Sequence, residues 1–148
     1  MSKKFKMIWE PESKAYRIYA LKDFGEVKKG EKGGLISGEI NLSHYGNCWV
    51  YQGSKVTGHS NISHNAEIRG ESYVEDSIIS GNVIISDTSV RSSTVKGGSV
   101  IMSGLVCNCK ISGRINLSGI ELYYTELKST SLKEDGIIIA NESTDTDL

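Results

Sequence analysis

Large aliphatic residues recur along the middle of this chain every five or six positions. From Val50 the column runs through Val56, Ile62, Ile68, Val74, Ile79, Ile85, Val90, Val95, Val100, Val106, Ile111, Leu117 and Leu122. Two positions earlier stands a small or β-branched residue, as at Cys48, Ser54, Ser60, Ala66, Ser72, Ser77, Val83, Thr88, Ser93 and Cys109. Two positions later, in most cases, stands a residue suited to positive φ or a tight turn: Gly58, His64, Gly70, Asp76, Gly81, Asp87, Ser92, Gly97, Asn108, Gly113 and Gly119. Side chains at i and i−2 of a strand share one side, so the first two columns fill an interior and the third bends the chain onto the next face. The pattern predicts an all-β fold, a single-stranded parallel β-helix solenoid with three short strands per coil.

Sorting the column by threes assigns Val50, Ile68, Ile85, Val100 and Leu117 to a first face. Val56, Val74, Val90, Val106 and Leu122 form a second, and Ile62, Ile79, Val95 and Ile111 a third. Flanking residues then point outward. On the third face they are mostly polar. The first presents Trp49, Tyr51, Arg69, Ile84 and Ile101, and the second Tyr73, Leu105 and Tyr123, with Cys107 also outward. Contiguous exposed apolar area marks contact surfaces, so these eight, Cys107 aside, are the candidate interface residues, with the first face as the expected contact with another copy or a partner.

The ends read differently. Phe5, Met7 and Trp9 alternate with Lys6 and Ile8, Glu10-Pro11-Glu12-Ser13 supplies a turn, and Tyr16, Ile18 and Ala20 alternate back, which predicts an N-terminal hairpin. A solenoid's open end is an unpaired edge that needs cover, and this hairpin is the expected cap. The organisation is therefore a cap and loop over 1–33, β-helix repeats over 34–123, and a C-terminal capping segment and tail over 124–148. Within the last, 124–132 reads as irregular, Gly136–Ala140 as a short strand and 141–148 as an acidic, disordered tail.

Charge adds little. The formal net charge is −1, so no global basic field recruits nucleic acid or membrane. Residues 1–35 hold nine Lys or Arg against five acids, and 119–148 hold two against seven, which suits solvated ends. Three cysteines without paired spacing fit a reducing compartment. No Cys/His spacing suggests a metal, no apolar run reaches a membrane span, and no signal segment follows the Lys-rich start. The expectation is a cytoplasmic protein, without metal or cofactor.

The run Ala20-Leu21-Lys22-Asp23-Phe24-Gly25-Glu26-Val27-Lys28-Lys29-Gly30-Glu31-Lys32-Gly33-Gly34-Leu35-Ile36, then Glu39–Ser43 and Gly46–Tyr51, resembles the opening of a family of phage and prophage β-helix proteins of the YdcK-like type. His64-Asn65-Ala66-Glu67-Ile68-Arg69 echoes that family's repeated Gly-Asn-Ala-x-Val-Tyr coils, and Gly81–Ser86 follows more loosely. The resemblance covers roughly residues 16–86 and implies a left-handed helix with hexapeptide-like repeats. It suggests a non-enzymatic, homo-oligomeric interaction module that binds a host protein and antagonises host defence. Capture of a small anionic signal through Arg69 and Arg91 is a variant of that reading. The alternative is a hexapeptide-repeat acyltransferase, for which His44, His59 and His64 are the available bases.

Overall fold

The computed structural model describes residues 3–96, 100–107, 110–123, 126–135 and 143–145, with side-chain surroundings described through residue 96. Fifteen strands follow one another: β1 (Phe5–Glu10), β2 (Ala15–Ala20), β3 (Lys32–Ile36), β4 (Trp49–Val50), β5 (Lys55–Thr57), β6 (Asn61–Ile62), β7 (Glu67–Arg69), β8 (Tyr73–Glu75), β9 (Ile78–Ile79), β10 (Ile84–Arg91), β11 (Thr94–Val95), β12 (Val100–Cys107), β13 (Lys110–Tyr123), β14 (Glu126–Asp135) and β15 (Ser143–Asp145). Among the described residues one 3-10 turn, Glu39–Asn41, interrupts them.

The faces stack in parallel. The second runs Ile36, Val56, Val74, Val90, Val106, Leu122. The third runs Leu42, Ile62, Ile79, Val95, Ile111, Leu127. Through residue 95 every aliphatic position of the repeat is fully buried, and so is every small partner from Cys48 to Thr88, with Ser93 at 5%. The turn column follows as read: Gly58, His64, Gly70, Asp76, Gly81, Asp87 and Ser92 all have positive φ, between 48° and 91°. Eighteen residues separate Val56 from Val74, and sixteen separate Val74 from Val90.

One register differs from the sequence reading. Ile85 pairs with Ile101, and Ile101 with Leu117, while Val100 lies beside Ile84 and Asn116. Ile101 therefore occupies the interior column and Val100 the outward one, which removes Ile101 from the candidate interface. Adjacent aliphatics at 100 and 101 make either choice apolar, so the pattern alone does not select between the two. Pairing also runs on past Tyr123: β14 stacks on β13 with Leu127 beside Ile111, and Ser143–Asp145, expected in a disordered tail, pairs with β14. Gly136–Ala140 and Cys109 lie outside the described residues. Leu105 and Tyr123 keep outward register beside Ser89 and Cys107, but their side chains lie outside the described part.

The hairpin forms as expected, with β1 antiparallel to β2 and β2 antiparallel to β3. It extends the second face and also reaches over the first coil. Phe5 sets its ring 6.5 Å from Trp49, and Phe24, from the loop after β2, approaches to 5.2 Å. Gly33 and Gly34 permit this closure, because a Cβ at Gly34 would lie 2.5 Å from the Ser54 carbonyl oxygen. Trp49 is therefore fully buried, and its expected role as an exposed anchor is corrected: outward from the coil here means inward to the cap. The sequence pattern also passed over Lys4. This lysine is fully buried, donating to the Cys48 carbonyl at 2.7 Å and reaching Cys48 Sγ at 3.3 Å. Burial lowers its pKa and raises that of the Cys48 thiol.

Candidate functional site

The three corners of the coil are built from different residues. At two of them the inward small residue carries a hydroxyl that links successive coils. Ser77 N–H donates to Ser60 Oγ at 3.1 Å and Ser93 N–H to Ser77 Oγ at 3.0 Å. Ser72 and Thr88 amides bond in the same way to Ser54 and Ser72 at 3.3 and 3.2 Å. Outside the same corners Asp76 and Asp87 add a second link, accepting from the His59 and Glu71 amides at 2.9 Å.

At the corner leading onto the first face the inward residues are Cys48, Ala66 and Val83, which offer no hydroxyl acceptor. Exposed asparagines link the coils there instead: Asn47 N–H donates to Asn65 Oδ1 at 3.2 Å, and Asn65 Nδ2 to Asn82 Oδ1 at 3.2 Å. Polar side chains are thus held on the outside, in register along the axis.

Two hollows meet at Asn65. One, of about 420 Å³, is bounded by Ser43, Tyr45, Gly46, Ser63, His64 and Asn65. The other, of about 350 Å³, lies over the first face, with Glu26, Asn47, Tyr51, Asn65, Glu67 and Ile84 among its walls. His64 lines the first of them, next in sequence to the shared Asn65. Its left-handed backbone, φ 61°, turns the chain from the third face, and Ser63 Oγ lies 3.0 Å from its Nδ1.

The walls of the second hollow form a network. Arg69 donates to Glu67 at 2.6 Å, to Glu26 at 3.4 Å and to the Tyr51 hydroxyl at 3.3 Å, while its guanidinium lies 4.3 Å from the Tyr51 ring centre. Tyr51 OH donates to Glu67 at 3.0 Å. Partial burial, then the Glu67 carboxylate, pushes the Tyr51 pKa up to about 12, so this hydroxyl stays a donor throughout neutral pH. Arg69 is held charged by Glu67. Its Nε and the Trp49 indole N–H are the buried side-chain polar atoms with no partner among the described residues.

The first-face candidates thus come together as a network beneath the cap loop, not as an open apolar patch: Tyr51, Arg69 and Ile84 are half-buried. Tyr73 lies apart on the second face, accepting from Thr57 at 3.1 Å and donating to Glu75 at 3.0 Å. Arg69 and Arg91 sit on different faces, and Arg69 is already spoken for by two carboxylates, so the pair does not converge on a small anion.

The other histidines have other work. His44 accepts from the Lys4 amide at Nδ1, 3.1 Å, so Nε2 carries the proton that it donates to Glu39 at 2.9 Å. Phe5 stacks on it at 4.1 Å. With both nitrogens engaged it is a brace for the cap. His59 is exposed and bounds neither hollow. Among the described residues no group of three or more His, Cys, Asp or Glu could hold a metal ion, and no helix is long and apolar enough to cross a membrane.

No family model matches the chain. A stretch of 77 residues is 34% identical to an Escherichia coli K12 protein named as an uncharacterized acetyltransferase, YdcK, covering 47% of this chain and 24% of that protein. The chain thus aligns with about a quarter of the relative's length. The expectation of a non-enzymatic protein is corrected by this similarity, because the relative carries the name of an enzyme and the reading that set catalysis aside had no comparable support.

Proposed function

We propose that this protein is an acyl-transfer solenoid in which His64 is the general base, lining one of two hollows that meet at Asn65 and receive donor and acceptor. The Ser63–His64 pair carries this reading: it is the one histidine that borders both a cavity and a hydroxyl able to set its tautomer. The name of the relative supports the reaction class.

With Nδ1–H donating to Ser63 Oγ, the lone pair resides on Nε2. Nε2 takes the proton of an acceptor hydroxyl or amine as the acceptor oxygen or nitrogen attacks the carbonyl of an acyl thioester. The carbon–sulfur bond then breaks, and the departing thiolate receives the proton from the imidazolium. Asn47, Asn65 and Glu67 offer the acceptor a row of donors and acceptors along the second hollow, and the Tyr51 hydroxyl holds Glu67 in place by donating to it. A single positioned base of this kind contributes about 10²–10⁴-fold.

Release of free thiol from acetyl coenzyme A, followed with a panel of amines and saccharide hydroxyls, tests the reading. Asn suits the left-handed backbone at position 64, so His64→Asn should keep the fold and lower kcat by about 10²–10⁴-fold with KM little changed, while His59→Asn should be silent. Transfer at equal rate in His64→Asn, or none with any acceptor in the wild type, ends the proposal. A host-protein target, and a phage origin with it, rests on the family resemblance alone and would need a surface other than the first face, since the cap already covers Trp49.

A further inference from the structure

We infer that the free edge of the N-terminal hairpin is a self-complementary interface through which two copies of this chain pair, β1 against β1, about a two-fold axis at Ile8. β1 ends the sheet, with β2 as its one neighbour among the described residues. Its six residues pair with β2 without a register shift, and they contain no proline. Lys6 is the strand's sole lysine. A straight, exposed edge of this kind is a template for a further strand.

The ladder shows which groups it offers. Leu21 N–H donates to the Lys4 carbonyl at 2.8 Å, so by the alternation of antiparallel pairing the backbone of Lys6, Ile8 and Glu10 faces β2 and that of Met7 and Trp9 faces away. A second β1 laid antiparallel with Ile8 opposite Ile8 would use those outward groups, Met7 with the partner copy's Trp9 and the reverse, for four backbone hydrogen bonds. The side chains agree with that register. On one side of the strand stand Lys6, Ile8 and Glu10, which the pairing sets as Lys6 opposite Glu10, Ile8 opposite Ile8, and Glu10 opposite Lys6. On the other, Met7 meets Trp9 twice. Ile8 and Trp9, 47% and 50% exposed, would both be covered. A two-fold contact requires one patch to complement itself, and the order Lys-Met-Ile-Trp-Glu does so in both charge and apolar character.

The inference is independent of the acyl-transfer reading. Sedimentation of the full-length protein at high concentration should give twice the monomer mass. Ile8→Asp, which sets like charges across the axis on an exposed site, should return it to the monomer mass with an unchanged circular dichroism spectrum. In a Cys107→Ser/Cys109→Ser background, Ile8→Cys should give a disulfide-linked dimer on mild oxidation, because residues opposed in a non-hydrogen-bonded pair have Cα atoms about 4.5 Å apart. Ile40→Cys, on the exposed 3-10 turn, should not. A wild-type monomer, a dimer indifferent to Ile8→Asp, or Ile8→Cys cross-linking no faster than Ile40→Cys overturns it.

Discussion

The hydroxyl-lined corners tie successive coils from inside as well as outside, and the asparagine-lined corner only through its outward side chains and backbone. Where Ser54, Ser60, Ser72 and Ser77 turn inward, the amide of the next coil finds its acceptor inside the solenoid, and outside the same corners Asp76 and Asp87 accept from the His59 and Glu71 amides. Where Cys48, Ala66 and Val83 turn inward, the linking groups move to Asn47, Asn65 and Asn82 outside. Only the second arrangement borders the hollows and His64. A regular scaffold thus gains a distinct surface by exchanging the inward hydroxyl of one corner for an outward amide.

That contrast can be broken by substitution. The interior is common to all corners, and Ile85→Asp, which buries a carboxylate among aliphatics, should abolish soluble expression. Soluble, folded Ile85→Asp protein would contradict the register from which the corners are defined. Next in size, Ser77→Ala removes the buried acceptor of the Ser93 amide and should lower stability in chemical denaturation by about 1–3 kcal/mol, whereas Asn65→Ala, where water can replace the lost partner, should cost about 0.5 kcal/mol or less. Equal losses would erase the distinction.

The smallest effect concerns the cap. Burial lowers the pKa of Lys4 below 10.5, so between that lowered value and 10.5 the unfolded chain holds more protons than the folded one, and the Lys4 contribution to stability rises with pH. Lys4→Met should remove that rise, and thermal melts of the two proteins from neutral pH to about 10.5 should show the wild type gaining relative to the variant. Cys48, with its raised pKa, pulls the other way in both proteins. Parallel melting curves would show that Lys4 holds its ordinary proton affinity.

Much of the coil was legible because its signals are local. The positive φ values at Gly58, His64, Asp76 and Ser92 follow from residue types that tolerate a left-handed backbone, and burial at Ser72 or Val83 follows from spacing of two. Where two aliphatics adjoin, as at Val100 and Ile101, spacing could not choose, and the chosen register moved Ile101 inward. His64 was visible as a turn residue, but its pairing with Ser63 at a cavity edge was not, since nothing in the chain says which corner carries a hollow.

The sequence by itself determined the three columns, the number of strands per coil and the hairpin, because strand alternation and turn chemistry act between residues two to six apart. Tertiary structure alone decided that Trp49 is covered and Lys4 buried, since both depend on where a hairpin forty residues away comes to rest. It likewise decided that Arg69 is committed to Glu67 and Glu26, and that His64 lines a hollow. Such outcomes depend on which surfaces meet, and a one-dimensional pattern carries no record of that meeting.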